Sequence, residues 1–460
     1  QLIIDNQIIK FRSTMHSKLI ISFFLSFIFS QSYYELASGR NFDSYSALSL
    51  SMASSSQIVE TSGFSLLANP SNLSRNGDSG FIISGSNFFD SNFERRGLIV
   101  KDSFGDFLAE SDYVKNSSIY NYSGIGIRYN QIIFDYLNAG LGLAVAPYKT
   151  YNFSYEEEVR GQLSSNDGQI FSRDPLLGYH RFSSKGYQNV IGLGSSLGFE
   201  TNIDIEASFG FSFNIIMPGN IIEKAQVDTS LAIGSIVMED SNKLSSLPNY
   251  NIEYDLGKST YFIIGSNLVY KRYLFALSYQ SNSIISKNTN GQSVLDEISN
   301  SYDSNELGEN ILEHYNSIKL SDINNPEKIS IGFAILDKKN SGYNFIINYE
   351  SNKYRSGSHL FSGNRISTGL EYYMSNGIPL RFSVGFKESQ FSPYISSITS
   401  FTAGSSLRYK NFTFDYGLQY YHSRYNYPDL FLVEGEFRPD LDIVNDSKII
   451  LISTLTYSFR

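Results

Sequence analysis

Strict alternation of apolar and polar side chains is the dominant pattern along this 460-residue chain. In DIEASFGFSFN (204–214), Ile205, Ala207, Phe209, Phe211 and Phe213 fall on one face of a strand. Asp204, Glu206, Ser208, Gly210, Ser212 and Asn214 fall on the other. GYNFIINYE sets Tyr343, Phe345, Ile347 and Tyr349 against Asn344, Asn348 and Glu350, and NFTFDYGLQY sets Phe412, Phe414, Tyr416, Leu418 and Tyr420 against Thr413, Asp415, Gly417 and Gln419. LRFSVGFK (Phe382, Val384, Phe386 against Arg381, Ser383, Gly385, Lys387) and EKISIGFAI (Ile329, Ile331, Phe333, Ile335 against Ser330, Gly332, Ala334) follow the same rule. These runs exceed the usual strand length of about 5–6 residues. They approach the roughly 9–11 that a tilted strand needs to cross a bilayer.

The spacing predicts strands near 81–89, 120–130, 138–150, 186–197, 204–216, 258–270, 273–281, 327–336, 342–352, 364–374, 379–388, 397–409, 411–424 and 447–460. Tight turns fall at Lys271-Arg272, 337–341, 375–377 and Lys410-Asn411, and long polar links at 151–185, 217–257, 282–326 and 425–446. Short turns on one side and long links on the other, with an even strand number, predict an all-β fold: a transmembrane antiparallel up-and-down barrel of about fourteen strands. The stretch NFERRGLIV (92–100) reads as an extension of the first hairpin rather than a strand of its own. Within 282–326, Leu307, Ile311, Tyr315 and Ile318 recur at helical spacing and predict a short helix packed on the barrel rim, the alternative being a cover over an entrance.

Composition narrows the class. Charged residues make up 18%, below the roughly 25% of soluble proteins, while a mean hydropathy of -0.19 suits either a soluble protein or a barrel whose strands are half polar. There is no Cys, hence no disulfide framework or thiolate metal site, and a net charge of -9 argues against nucleic acid as a partner. Residues 1–14 precede Met15 and read as sequence upstream of the start. MHSKLIISFFLSFIFSQS (15–32) then supplies Lys18, an apolar run over 19–29 too short to span a bilayer as a helix, and Ser30-Gln31-Ser32 as a cleavage site, which predicts a signal peptide and export.

Chemistry-bearing residues are sparse. His16, His180, His314, His359 and His422 are scattered without metal-ligand spacing, and neither a G-x-S-x-G elbow nor a phosphate-binding glycine loop is present. Glu156-Glu157-Glu158 reads as a solvated run in a long loop. His422 lies near Asp415 and Ser423, but neighbours along one strand do not make a triad. No enzyme, metal or cofactor is expected.

Residues 45–76 (YSALSLSMASSSQIVETSGFSLLANPSNLSRN) break the alternation: small residues dominate, yet Phe64, Leu66 and Leu67 are too apolar for a free tail. Asn69 and Pro70 predict a turn. The segment resembles the N-terminal hatch of the FadL (long-chain fatty-acid transporter) superfamily, and of the related PorV-like outer-membrane proteins. These carry an Asn-Pro-Ala plus apolar residue downstream of an acid. Here Glu60 is the candidate acid, Asn69 and Pro70 match, Ser71 replaces Ala, and Leu73 holds the apolar position. GLGLAVAPY (140–148), GYQNVIGLGSSLGF (186–199) and IPLRFSVGF (378–386) are similar to strands of these families, so the resemblance spans most of 45–460. It implies an N-terminal plug over 33–80 inside a barrel over 81–460, in the outer membrane of a Gram-negative-type bacterium, with lipid around it and a hydrophobic, fatty-acid-like small molecule as ligand. The resemblance also implies sideways exit at a kinked strand, for which Gly124 and Gly126 are candidates, although paired glycines also suit close packing against a plug. Two other functions stay open: a PorV-like platform for secreted proteins, and a general porin or structural barrel. The last strand, LISTLTYSF, puts Leu451, Leu455, Tyr457 and Phe459 on one face; barrels of this type usually end on an aromatic residue, and Arg460 departs from that by one position.

Overall fold

The computed structural model describes residues 33–75, 79–134, 136–160, 176–201, 205–229, 250–290, 306–337, 342–375, 377–431 and 441–459. Asp204, Arg460 and the segments read as upstream sequence and signal peptide lie outside them.

Alternation becomes a closed wall. The barrel strands are β1 (Gly80–Lys101), β2 (Phe107–Phe134), β3 (Leu137–Thr150), β4 (Tyr187–Glu200), β5 (Ile205–Ile216), β6 (Ser259–Tyr270) and β7 (Tyr273–Gln280). They continue with β8 (Glu327–Ile335), β9 (Tyr343–Lys353), β10 (Gly363–Tyr373), β11 (Pro379–Lys387), β12 (Ile398–Tyr409), β13 (Phe412–Tyr427) and β14 (Asp442–Phe459). Each pairs antiparallel with its neighbour, and β1 closes on β14 from Phe81↔Phe459 to Gly97↔Ile443. Closure gives every strand a neighbour on both sides, which is what strands in hydrocarbon require. The stretch 92–100 is the upper half of β1, in one hairpin with β2.

The aromatic face points outward. Phe209 is 59% exposed, and Phe211, Phe213, Phe382 and Phe414 are exposed with it, whereas Ser208, Ser212, Asn214, Arg381 and Asp415 are buried inside. Exposed Tyr270, Tyr343, Tyr372 and Tyr409 ring the short-turn end, with Lys271 over Tyr270 and Lys410 over Tyr409. A girdle of aromatics beside cations is the signature of a membrane–water boundary. Among the described residues no helix is long and apolar enough to cross a membrane.

The long links are not the polar loops that their composition predicts. Phe153–Arg160, Leu176–Lys185, Gly219–Thr229, Tyr250–Leu256 and Lys287–Asn290 build a five-stranded sheet beyond the barrel mouth. The reading of Glu156-Glu157-Glu158 as a solvated run is corrected by it. Strand alternation buries Glu157, whose carboxylate accepts from Tyr155 Oη at 3.0 Å, while exposed Glu156 pairs with Arg181. The predicted helix is α3 (Glu306–Lys319), following α1 (Ala47–Ser51) and α2 (Ser56–Val59) in the inner segment described below. Ile311, Tyr315 and Ile318 are buried as expected, but Leu307 in the first turn is exposed. Beside the end of β13, where Tyr315 meets Tyr427 edge-on at 5.8 Å, α3 also packs on the start of the described chain: Tyr315 stacks on Tyr33 at 5.3 Å, and Tyr34 Oη bonds His314 Nδ1 at 2.7 Å. Phe153, Phe182, Phe391 and Tyr427 complete this aromatic cap.

Candidate functional site

Residues 33–75 lie inside the barrel, running from the cap to the short-turn end. Their contacts go round the whole wall. Ala47 N donates to Thr454 of β14 at 2.9 Å, Ser51 O accepts from Ser383 of β11 and Thr402 of β12, and Ala53 O accepts from Arg365 of β10 at 2.9 Å. Gln57 bonds Asn348 of β9 and Ser278 of β7, Asn69 bonds Asn267 of β6, and Ser212 of β5 donates to Leu66 O at 2.8 Å. Arg128 of β2 donates to the carbonyls of Leu73 (2.8 Å), Thr61 (2.7 Å) and Arg75. Close backbone or side-chain approach at Ser84, Gly140, Gly194, Gly332 and Gly417 brings in the remaining strands. A segment that touches all fourteen strands of a closed barrel fills its lumen.

The local chemistry of the Asn69 turn is readable. Asn69 caps a 3-10 turn (Pro70–Leu73): its Oδ1 accepts from Ser71 N at 3.2 Å and Ser71 Oγ at 2.6 Å, and Pro70 occupies the first helical position, where no donor is needed. Its Nδ2 donates to Gln57 O at 3.1 Å and Asn267 Oδ1 at 3.0 Å, so one buried amide ties the turn to the end of α2 and to the wall. Leu73 is fully buried against Gly140 and Gly142 of β3. Glu60 is buried too, its carboxylate accepting from Ser46 Oγ and from Ser62 N at 3.1 Å.

The two glycines of β2 are in different places. Gly126 packs backbone to backbone on Gly63 of the inner segment, and a Cβ on either would overlap the other. Gly124 sits where the wall changes: a Cβ there would lie 3.0 Å from Val145 O and 3.3 Å from Ala146 Cα. The β2–β3 ladder runs from Phe134↔Leu137 only to Ile125↔Val145, although both strands continue. Above that point β2 pairs with β1 alone. The freed edge of β3 is taken by the inner segment, with Arg40↔Thr150 and Asn41↔Lys149 as partners and Phe42 N donating to Tyr148 O at 3.1 Å. Lys149 and Thr150 pair on their other side with Gln188 and Tyr187 of β4, so residues 40–42 occupy the seam that β2 leaves. Phe42 fills the inside of the seam, edge-on to Tyr122 at 5.1 Å and Phe88 at 5.6 Å.

Behind Phe42 lies a cavity of about 100 Å³ between the inner segment and β10–β14. Phe42, Leu50, Phe391, Ile398, Ile450 and Ile452 give it apolar walls. Its charges form two poles. Arg40 pairs with Asp90, and Lys448 stands 3.7 Å from Asp90 and 3.6 Å from Glu35; opposite, Asp43 bridges Arg365 and Lys387. At the short-turn end a vestibule of about 420 Å³ is lined by Arg75, Glu206 and Arg381, the last held by Glu371 (2.6 Å) and Asp415 (3.0 Å).

Asp415 is thus committed to Arg381, while His422 Nδ1 bonds Ser447 Oγ at 3.0 Å on the exposed face, so no hydrolase constellation assembles there. Among the described residues no group of three or more His, Asp or Glu is placed to hold a metal ion. The cavity ion pairs, Arg128 and the strand at residues 40–41 escape sequence reasoning; the signal available for the cations was their position on the polar face of alternating runs, as with Lys387 in LRFSVGFK.

Barrel, filled lumen and a seam occupied by residues 40–42 define the class: a closed fourteen-stranded membrane barrel with an occupied interior. No protein-family model and no curated protein matches the chain. Among solved structures it is similar to a Pseudomonas aeruginosa FadL homologue, with TM-score 0.50, 11% identity, and coverage of 92% of this chain and 100% of that one. It is likewise similar to the P. putida toluene transporter TodX, with TM-score 0.51, 12% identity, and coverage of 91% and 99%. The fold is therefore that of the FadL-type barrels over nearly its full length.

Proposed function

We propose that this protein takes small hydrophobic molecules, fatty-acid-like in character, across the outer membrane of a Gram-negative-type bacterium. The observation that carries this reading is the alignment of an apolar-walled cavity, Phe42 and the β2–β3 seam: a molecule held against Phe42 stands behind a place where the barrel wall lacks a strand-to-strand ladder. Apolar cargo leaving there enters lipid without crossing the polar vestibule. The turn at Asn69, Pro70, Ser71 and Leu73 holds the inner segment as a plug, Gly126 lets it dock on the wall, and Gly124 marks where the wall parts. The fold shared with a toluene transporter supports the same reading.

A general porin needs a wide watery lumen, and here residues 33–75 fill it. A platform for secreted proteins would make use of the ordered outer sheet and α3, but would leave the cavity and the seam without a role. No metal or cofactor enters the proposal.

The test is to purify the protein from membranes in a detergent without alkyl carboxylates and identify co-purifying small molecules by mass spectrometry. Apolar molecules present in the native protein and depleted by Phe42→Arg are expected. Identical extracts from the two proteins would overturn the assignment of the cavity.

A further inference from the structure

Where the strands leave the hydrocarbon, the outward face of β13, β14, β1 and β2 changes character. One row of ladder partners crosses all four strands: Arg424↔Asn445, Asn445↔Arg95 and Arg95↔Lys115. The row beneath holds His422, Ser447, Phe93 and Ser117, and the next Tyr420, Ile449, Ser91 and Ile119. Arg424, Arg95 and Lys115 are exposed and alternate with buried Tyr425, Arg96 and Val114, so they point away from the lumen. Phe412, opposite Tyr409 of the short-turn girdle, and His422 are ten residues apart on β13. At about 3.3 Å per residue and a tilt of about 35–45°, that is roughly 24–28 Å of height, one apolar band. The cations therefore stand at the outer water boundary. Lys115 Nζ lies 5.1 Å and Arg95 Cζ 5.8 Å from the centre of the Phe93 ring, which holds the two side by side. Arg95 Nη1 meets Asp112 at 3.1 Å and Arg424 Nη2 meets Glu110 at 2.7 Å, yet the two arginine side chains stay 44% and 55% exposed. Lys115 pairs with no carboxylate among the described residues.

We propose that this outer face binds the headgroup of an outer-leaflet lipid carrying two phosphates, with one of its acyl chains in a groove alongside. Arg95 and Arg424 are two strands apart, about 10 Å, so the row offers each phosphate a guanidinium, with Lys115 beside Arg95. Exposed ion pairs hold their partners weakly. An arginine with one edge on a carboxylate keeps N–H donors for a phosphate oxygen. Ser447 and Ser117, one row below, add hydroxyls. Over β10–β13 the lipid-facing wall opens into a groove of about 540 Å³, with no charged residue in its lining. Phe382, Val384, Phe401, Leu418 and Tyr420 surround small Ala403 there. Tyr420 joins the two features: it edges the groove and lies two residues below His422 on the same face. The cations complement phosphate and the groove complements a chain. A free phosphate would leave the groove empty, and a neutral apolar partner would leave the cations bare. The site is on the outside of the barrel, so it does not depend on what the lumen carries.

The test mixes the full-length protein, in a non-ionic detergent, with diphosphoryl or monophosphoryl lipid A and counts bound lipid by native mass spectrometry. The native protein is expected to hold the diphosphoryl form at least several-fold more tightly. Arg95→Gln, Lys115→Gln and Arg424→Gln combined bring that ratio towards unity, whereas Lys353→Gln, exposed on β9 elsewhere on the wall, leaves it unchanged. Ala403→Phe, which fills the groove, weakens both lipids together and keeps the ratio. Heat-modifiable migration on gels shows that each variant is a folded barrel. A ratio of one in the native protein, a ratio that survives the triple substitution, or an equal loss in Lys353→Gln overturns the headgroup site. Loss of the preference in millimolar inorganic phosphate assigns the row to the free ion and overturns the lipid. Undiminished binding in Ala403→Phe overturns the chain groove.

Discussion

A single amide holds several parts of the interior together. Asn69 makes its turn, reaches the end of α2 and bonds Asn267 of the wall, all in a buried setting. Asn69→Ala is expected to loosen residues 60–75 by about 1–3 kcal/mol, the cost of buried partners left unsatisfied. Amide exchange of that segment read by mass spectrometry is the check, with native-like protection as the contrary result. On the outer face the expectation is set by lipid. Phe211→Arg should destabilise the barrel by roughly 2–4 kcal/mol near mid-membrane, measured by urea unfolding in vesicles. At this scale period-two alternation made inward and outward positions legible, and Asn69-Pro70 announced a turn. The partners were not legible: Asp43 and Arg365, or Asn69 and Asn267, are brought together only by closure of the barrel, which leaves no local trace in the sequence.

Among elements, the outer sheet departs most from expectation. Its strands are polar enough to read as loops because one face meets water, while the other packs on the aromatic cap. His180 sits on that inner face against Phe431, its ring nitrogens without a hydrogen-bond partner among the described residues. Burial pushes its pKa down to about 4 from an ordinary 6.5. The folded sheet therefore takes up a proton less readily than the opened one, so the stabilisation is present above about pH 6.5 and is lost as pH falls towards 4. At pH 5 the loss should reach about 2 kcal/mol. Faster amide exchange of 176–185 at pH 5 than at pH 7, once corrected for intrinsic rate, should flatten in His180→Phe; a pH response retained by that variant would place the switch elsewhere. The final strand carries a second expectation. Phe81↔Phe459 closes the barrel, and Tyr457 and Phe459 pack edge-on at 4.5 Å. Removing residues 457–460 should block assembly, seen as loss of heat-modifiable barrel on gels, and a normal yield would contradict it.

At the scale of the whole molecule, strand number and the long-short rhythm of connections were readable because each strand carries its own period-two pattern. The incomplete β2–β3 ladder was not. Both strands continue past Gly124 and Val145, and only the arrival of residues 40–42 on the free edge shows that they part company. The lumen is occupied by a segment whose small residues fit between facing strands and whose backbone is satisfied by inward hydroxyls, amides and Arg128, which predicts a barrel closed at rest. Single-channel recording in planar bilayers tests that claim most directly. The intact protein should show no sustained conductance, and a variant lacking residues 45–75 but keeping the fourteen strands should form a stable open channel; equal conductance in the two would contradict the account.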